Sequence, residues 1–282
     1  MSKTIWAMLI VLVTGAASAG GYRFEQVDVL DLAATERLLP GTEPAVVTRL
    51  PADQAQAILA KPDRDLDDPD QLKYLEGNRA QQRAAEAKLI AAERPAVRRT
   101  KGTLSIKPTI ASRQDFRFRR VGDDSESFVY AGRIGAARYH RVEEQFGQDS
   151  PGSFLVNPDS GKTAFVHNGG DLVSLSKDGK RVLSFDPLNP PFLLVIAALD
   201  ADGPRLELQC RAAGERVTAA AYKGWNAAGE VELVLTAKGV ATPMSLRITP
   251  QARGWQFATA EPNALVEVAG YTCWSYEKSV LQ

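Results

Sequence analysis

Residues 157–185 read NPDSGKTAFVHNGGDLVSLSKDGKRVLSF, and the alternation of short apolar runs and turn sequences in them decides the fold class. The runs are 163–166, 171–176 and 181–185. The intervening sequences are Pro158-Asp159-Ser160-Gly161, Asn168-Gly169-Gly170 and Lys177-Asp178-Gly179-Lys180. Glycine beside Asp, Asn or Lys is typical of tight turns that need a positive φ. The stretch therefore predicts short strands joined by hairpin turns.

The same rhythm runs from about residue 115 to the C-terminus. Further strands are predicted at 127–131, 138–146, 153–156, 192–199, 205–210, 216–222, 230–236, 244–249, 254–259 and 264–268. Many short strands at near-regular spacing are typical of antiparallel all-β domains. The predicted fold class is therefore mainly β, with an antiparallel β-sandwich or meander over residues 115–282 and a helical segment before it.

One part of this region is similar to a known repeat. The sequence Asn157 to Val166, followed by Gly170-Asp171-Leu172 and Asp178-Gly179, resembles one blade of a TolB-type β-propeller. The resemblance covers about 25 residues, and it implies a four-stranded blade. No second copy of the Pro-Asp-x-Gly-Lys type of turn follows, whereas a propeller needs several blades. Two ordinary hairpins are the alternative interpretation.

Residues 20–94 are predicted to be an α-rich N-terminal segment. A short helix is expected after Asp31, a second over 52–60, and a longer one from Asp68-Pro69 to Glu93, ended by Pro95. Between Arg94 and Arg120, nine basic residues stand against one acidic residue, Asp115. This charge bias predicts an extended basic linker over residues 95–114 and a domain boundary there.

The first nineteen residues have the pattern of a cleaved signal peptide. Lys3 precedes the uncharged run Ile5–Val13, and Ala17-Ser18-Ala19 offers small residues at a cleavage site before Gly20. The apolar run is too short for a membrane-spanning helix, which needs about 20 residues. We therefore expect a periplasmic or secreted mature protein of 282 − 19 = 263 residues, without an integral membrane segment.

The chain has two cysteines, Cys210 and Cys273, which we expect to form a disulfide bond in an oxidising compartment. Two buried free thiols are the alternative. Neither cysteine belongs to a Cys-x-x-Cys motif, which disfavours a redox or catalytic role.

Charge and aromatic content bear on the partners of the protein. Lys and Arg total 34, as do Asp and Glu, so the net charge is zero and no nucleic-acid partner is predicted. Aromatic residues concentrate near the C-terminus, and an exposed subset would suit a protein-binding surface. The candidate partner-binding residues are Tyr222, Trp225, Trp255 and Trp274.

Several short motifs fail on inspection. Asp63, Asp65 and Asp67 match the start of a calcium loop, but Asp68 stands where glycine is needed and Tyr74 where glutamate is needed. Gly161-Lys162-Thr163 lacks the upstream glycine of a phosphate-binding loop, because that position is Val156. His140 and His167 are the two histidines, and neither belongs to a catalytic or zinc motif. No catalytic residue, metal or cofactor is predicted.

The sequence thus favours a non-enzymatic binding or interaction protein of the cell envelope, such as an inhibitor, an immunity-type partner or an accessory of envelope assembly. Its expected partner is another envelope protein. The alternative is a hydrolase of an envelope polymer that uses an Asp/Glu pair, since carboxylates about 5 to 9.5 Å apart in a cleft can do that work.

Overall fold

A computed structural model describes residues 22–24, 27–31, 46–63, 79–109, 115–118, 128–146, 149–167, 173–186, 193–212, 217–252, 254–262 and 271–275. The protein is mainly β, with several antiparallel sheets, which confirms the predicted fold class at that level. The helices are α1 (Ala52–Leu59) and α2 (Arg79–Ala92).

The strands alternate with short turns along most of the chain. They are β1 (Tyr22–Phe24), β2 (Val27–Asp31), β3 (Val46–Arg49), β4 (Val97–Thr100), β5 (Thr103–Ile106), β6 (Phe116–Phe118), β7 (Phe128–Ile134), β8 (Tyr139–Phe146), β9 (Asp149–Val156), β10 (Thr163–His167), β11 (Val173–Leu175), β12 (Arg181–Asp186), β13 (Leu193–Asp200), β14 (Gly203–Ala212), β15 (Val217–Trp225), β16 (Val231–Ala237), β17 (Met244–Pro250), β18 (Trp255–Thr259) and β19 (Tyr271–Ser275).

Three successive groups of four strands form the framework. Within β7–β10, β11–β14 and β15–β18, each strand pairs antiparallel with the next. Distant strands extend these groups: β2 lies parallel to β10, β3 lies parallel to β18, and β19 lies antiparallel to β14. Strands β4, β5 and β6 form a small sheet of their own.

Apolar layers hold the sheets face to face. The first layer joins the small β4–β6 sheet and α2 to the six-stranded sheet, through side chains such as Leu104, Phe118 and Phe154. A second joins the six-stranded sheet to the β11–β14 sheet, and a third joins the latter to the β15–β18 sheet. On the outer face of that last sheet, Ile58 of α1 packs near Val234.

The stretch 157–185 divides between two sheets. Its first part closes the β9–β10 hairpin, where Asn157 Oδ1 accepts hydrogen bonds from the backbone N–H groups of Asp159 and Ser160 at 2.8 and 2.9 Å. Its last part forms the β11–β12 hairpin in the next sheet, and Gly179 takes a φ of 67° in that turn. Of the residues that resemble a TolB blade, 157–166 therefore lie in one hairpin and 178–179 in another hairpin of a different sheet, whereas 170–172 lie outside the described residues.

The segment predicted as a basic linker forms β4 and β5. Its apolar side chains Val97, Leu104 and Ile106 are fully buried, while Arg98 and Lys101 are exposed. Charge bias alone suggested an extended chain, but Arg98 and Lys101 lie at exposed positions of a hairpin whose apolar residues enter the core, and Arg99 is half-buried. This differs from the prediction for residues 95–114.

The segment 20–94 contributes both helices and strands. The helix α1 matches the helix predicted over 52–60, and α2 lies within the one predicted to end near Glu93. Strands β1, β2 and β3 also lie here, and β2 and β3 join sheets built from the C-terminal half. The helix predicted after Asp31, the start of the longer helix and residues 1–19 lie outside the described residues. Among the described residues, no helix has the length and apolar character needed to cross a membrane.

Candidate functional site

Polar side chains that range from buried to exposed gather where α2 meets β7 and β8, and we call this region the α2–β7 junction. It consists of Glu86, Glu93, Arg99, the main chain of Phe128–Tyr130, Arg133, Arg138 and His140. Glu86 is buried, and charged groups rarely lie in a protein interior unless they are paired.

The junction covers a sheet edge. Strand β7 is the last strand of the six-stranded sheet, and β8 is its one neighbour among the described strands. Such an edge strand leaves main-chain N–H and C=O groups without strand partners, and proteins usually cover or disrupt it. A bulge between Tyr130 and Arg133, with Gly132 at a φ of 91°, disrupts the far half of β7. The near half is covered by α2.

Glu86 and Arg99 supply the partners that the edge lacks. Glu86 Oε1 accepts a hydrogen bond from the Tyr130 N–H at 2.8 Å, and Arg99 donates one to the Phe128 carbonyl. The two side chains bond to each other, with Arg99 Nε 3.0 Å from Glu86 Oε2 and Arg99 Nη2 2.5 Å from Glu86 Oε1. An antiparallel strand would offer the same donor and acceptor opposite Val129. The ion pair therefore occupies the place of a strand.

His140 lies beside this edge, on β8. Its side chain is fully buried, and its Nδ1 atom lies 2.9 Å from the Tyr130 hydroxyl oxygen. Its Nε2 atom has no hydrogen-bond partner among the described residues. A buried, unbonded ring nitrogen favours the tautomer that leaves Nε2 without a proton, because an unsatisfied N–H would cost more.

Charges on two further elements face the histidine. Arg133 of β7 donates to Glu93 Oε2 at 2.9 Å, and Arg138 of the β7–β8 turn lies 4.0 Å from Glu93 Oε1. Burial, followed by the positive charge of Arg133, lowers the pKa of His140 to about 4, while Glu93 opposes this shift. The hydrogen bond from Arg133 lowers the pKa of Glu93. Burial raises the pKa of the Tyr130 hydroxyl.

These shifts define the chemistry of the junction near neutral pH. His140 is uncharged and Tyr130 keeps its proton, so the pair forms a neutral hydrogen bond inside the protein. Protonation of His140 would add a third positive charge beside Arg133 and Arg138, which the negative charge of Glu93 offsets only in part. The arrangement therefore supports the sheet edge and is sensitive to acid.

The aromatic residues predicted to bind a partner lie elsewhere. Tyr222, Trp225 and Trp255 belong to the apolar layer between two sheets, and each is 4% exposed or less. Tyr222 also hydrogen-bonds to Ser174 at 2.8 Å. Their side chains therefore belong to the core and not to a surface, because the inward face of each strand carries them there. The backbone of Trp274 lies in β19, and its side chain is outside the described part of the chain.

The structure brings the two cysteines to neighbouring strands. Cys210 on β14 and Cys273 on β19 are directly opposite each other in the antiparallel register, and Cys210 is fully buried. Opposed residues in such a ladder have Cα atoms about 4.5 to 5.5 Å apart, within the range of disulfide bonds.

Two groups of acidic residues that could be taken for functional sites form ion pairs with basic side chains. Glu230, just before β16, and Glu232 of β16 lie 3.6 and 3.3 Å from the guanidinium of Arg247. Asp63, the first residue of the calcium-like sequence, pairs with Lys223, whereas Asp65 and Asp67 are outside the described residues. No group of three or more His, Cys, Asp or Glu side chains suited to a metal occurs in the described ranges.

Sequence reasoning missed the α2–β7 junction. Glu86 and Glu93 are seven residues apart, so they share one helix face with Leu89 and Ile90. Two acids beside the few apolar residues of a helix indicate a face that docks on basic residues. That signal could have singled out Glu86, but Arg99 as its partner depends on the tertiary structure.

No family model, no curated protein and no solved structure matches this chain.

We expect Glu86→Ala to lower the free energy of unfolding by about 3 kcal/mol, because it leaves Arg99 and the Tyr130 N–H unpaired in a buried place. Glu93→Ala is the matched control, since the Glu93–Arg133 pair is more exposed and should contribute about 1 kcal/mol or less. Urea unfolding of both variants measures the difference. Equal losses would contradict the role assigned to Glu86.

We expect stability to fall as the pH drops from about 6.5 towards 4. The folded-state pKa of His140 is lowered to about 4, whereas the unfolded value is about 6.5, so the unfolded chain binds more protons in this window. The full difference corresponds to about 3 kcal/mol.

The variant His140→Gln should lose most of this dependence, because it cannot titrate, and urea midpoints at several pH values would show it. The lowered pKa of Glu93 acts at lower pH, below about 4.5, so the two effects are separable. An unchanged slope between pH 6.5 and 5 in the variant would exclude His140 as the source.

Proposed function

We propose that this protein is an exported, non-enzymatic binding protein that docks a protein partner in the cell envelope. Residues 1–19 act as its signal peptide, and the mature chain begins at Gly20. In this proposal the β-rich part forms an antiparallel sandwich or meander over residues 115–282, and one of its sheet edges binds the partner.

The exposed edge of β15 is the observation that carries the proposal. Among the described strands, β15 is the end strand of its sheet, with β16 as its neighbour. Its first five residues, Val217 to Ala221, carry no charge, and Thr218 and Ala219 are exposed. Exposed edges usually carry lysine, proline or another device that prevents pairing with a second chain. An uncharged edge with small side chains is suited to strand addition by a partner.

Two bulges limit the length of that edge. The register of β15 against β16 shifts between Val217 and Ala219 and again between Tyr222 and Gly224. Between these shifts, Ala219 to Tyr222 pair regularly with Thr236 to Leu233. The regular stretch offers room for a short strand, and the bulges on either side restrict longer, unselective pairing. This favours a specific partner with a short extended segment.

Lys223, near the C-terminal end of β15, connects this strand to the end of α1. Lys223 Nζ donates to the Lys61 carbonyl at 2.8 Å and pairs with Asp63, while Lys61 pairs with Glu232. These contacts hold the end of α1 against the sheet. The docking edge is therefore part of a rigid support, which reduces the entropy cost of binding a partner.

A disulfide between Cys210 and Cys273 is also part of the proposal. It would join β14 to β19 and close a loop of about 64 residues, for which the chain-entropy model gives about 4 kcal/mol of stabilisation. The opposed register of these two residues supports it.

The export and disulfide proposals share one measurement. Non-reduced protein from the periplasmic fraction, alkylated under denaturing conditions, should show the intact mass of residues 20–282 with two hydrogens fewer and no alkyl groups. Prior reduction should add two alkyl groups and lower the free energy of unfolding by about 4 kcal/mol. Full-length mass with both thiols alkylated would contradict both proposals.

The β15 docking edge is testable by site-specific crosslinking in cells. A photo-crosslinking amino acid at Ala219 should yield one defined adduct with a partner, and Thr218→Lys in the same protein should reduce its yield roughly tenfold, because a lysine on the edge opposes pairing. The same crosslinker at Ala241, an exposed residue of the β16–β17 loop, should give no such adduct.

Thr236→Lys is the matched charge control, because Thr236 is half-buried on β16 and not on the free edge. Its effect on the Ala219 adduct should be smaller than that of Thr218→Lys at equal protein stability. Identical adducts from Ala219 and Ala241, or no adduct at Ala219, would exclude β15 as the docking edge.

A further inference from the structure

We propose that α2 is a displaceable cover over a second strand-docking edge, and that an extended partner segment with an acidic residue can replace it on β7. This goes beyond the function proposed above, because it concerns a different edge of a different sheet. Failure of the β15 experiment would leave it standing.

The hydrogen-bond pattern of the β7 edge is compatible with a docked strand. The Phe128 carbonyl and the Tyr130 N–H both point away from β8, and both are satisfied by side chains, from Arg99 and Glu86. A strand running antiparallel to β7 would satisfy the same two groups with its own main chain. A strand can therefore pair with this edge once Glu86 leaves with α2 and the Arg99 side chain, which belongs to β4, turns away from the Phe128 carbonyl.

Few apolar side chains among the described residues of α2 pack against the core. Among the residues of α2, Ile90 is buried in the neighbouring core layer and Leu89 packs against it half-buried. Most of the other described side chains of this helix are exposed or half-buried. Among its described residues, α2 places two apolar side chains against the core, so we expect its local opening to cost less than global unfolding.

The positive charge of Arg99 determines which partner segment can replace α2. When α2 leaves, Arg99 loses Glu86, and its side chain is 18% exposed even in the closed state. If the replacing segment buried Arg99 again without a carboxylate, the unpaired charge would be costly, so that segment must supply one. It must also place an aliphatic side chain where Leu89 and Ile90 were. The fitting partner is thus an extended strand in which aliphatic residues flank a Glu or Asp.

Hydrogen exchange on the wild-type full mature protein tests the opening. The Tyr130 amide should exchange through local opening, faster than the amides of Val195 and Ile196 in the central strand β13. Exchange of Tyr130 at the same free energy as β13 would show that α2 departs only on global unfolding, and would overturn the proposal.

Peptide binding tests the occupant. The probe is the labelled, end-blocked peptide Thr-Val-Glu-Val-Thr-Val-Thr, with Lys in place of Glu as the control peptide, measured by fluorescence anisotropy. We expect the Glu peptide to bind Glu86→Gln about tenfold tighter than wild type, since Gln cannot neutralise Arg99 and the closed state is weakened. Binding should slow the exchange of the Tyr130 amide.

Two variants make the result specific. Arg99→Gln should remove the preference for the Glu peptide over the Lys peptide. Lys88→Gln changes a charge at an exposed position of the same helix and should leave binding at the wild-type level. Equal binding to wild type and Glu86→Gln, or no binding to either, would overturn the proposal.

Discussion

The structure depends on sheets whose two faces are both buried. In β9, the consecutive residues Phe154, Leu155 and Val156 are all fully buried, although successive side chains of a strand point to opposite faces. Phe154 and Val156 enter the layer shared with the small sheet, and Leu155 enters the layer shared with the β11–β14 sheet. Antiparallel sheets more often leave one face in water. Here the faces are occupied, so sheet edges are the surfaces that require a separate solution.

The structure protects the edges of β7 and β15 from pairing to different degrees. Strand β7 is closed by α2 through the Glu86–Arg99 pair, which reproduces the donor and acceptor of a missing strand. Strand β15 keeps an exposed, uncharged stretch bounded by two bulges. Both treatments are known ways to control pairing with other chains. Such control matters because an unguarded edge can pair with the strands of other chains.

Burial also determines the protonation states of the titratable residues at the α2–β7 junction. His140 stays neutral beside two arginines because removal from water penalises its charged form, and the Tyr130 hydroxyl keeps its proton for the same reason. Ion pairs elsewhere, such as Arg141 with Glu143 at 2.9 Å, lie within one strand in the core. Arg141 also donates to Ser153 Oγ of β9 at 3.1 Å, so this buried charge links two strands.

Local pattern was enough for some features and insufficient for others. The turns at Asn157–Lys162 and Ser176–Arg181 follow from Asn, Asp and Gly chemistry that acts within a few residues, and the structure has hairpins at both places. The hairpin at Val97–Ile106 was missed, because its arginines suggested a solvated chain while its apolar residues needed a distant sheet to bury them. Tyr222, Trp225 and Trp255 were equally ambiguous, since an aromatic residue suits a core as well as a surface.

The sequence by itself determined the mainly β character, the hairpin turns, and the positions of α1 and the C-terminal part of α2, because propensity and turn chemistry act locally. Tertiary structure alone decided which sheets stack, that Cys210 faces Cys273, and that Glu86, Arg99 and His140 meet at one edge. These residues are far apart in the chain, and their proximity is set by strand order and by the burial of both sheet faces.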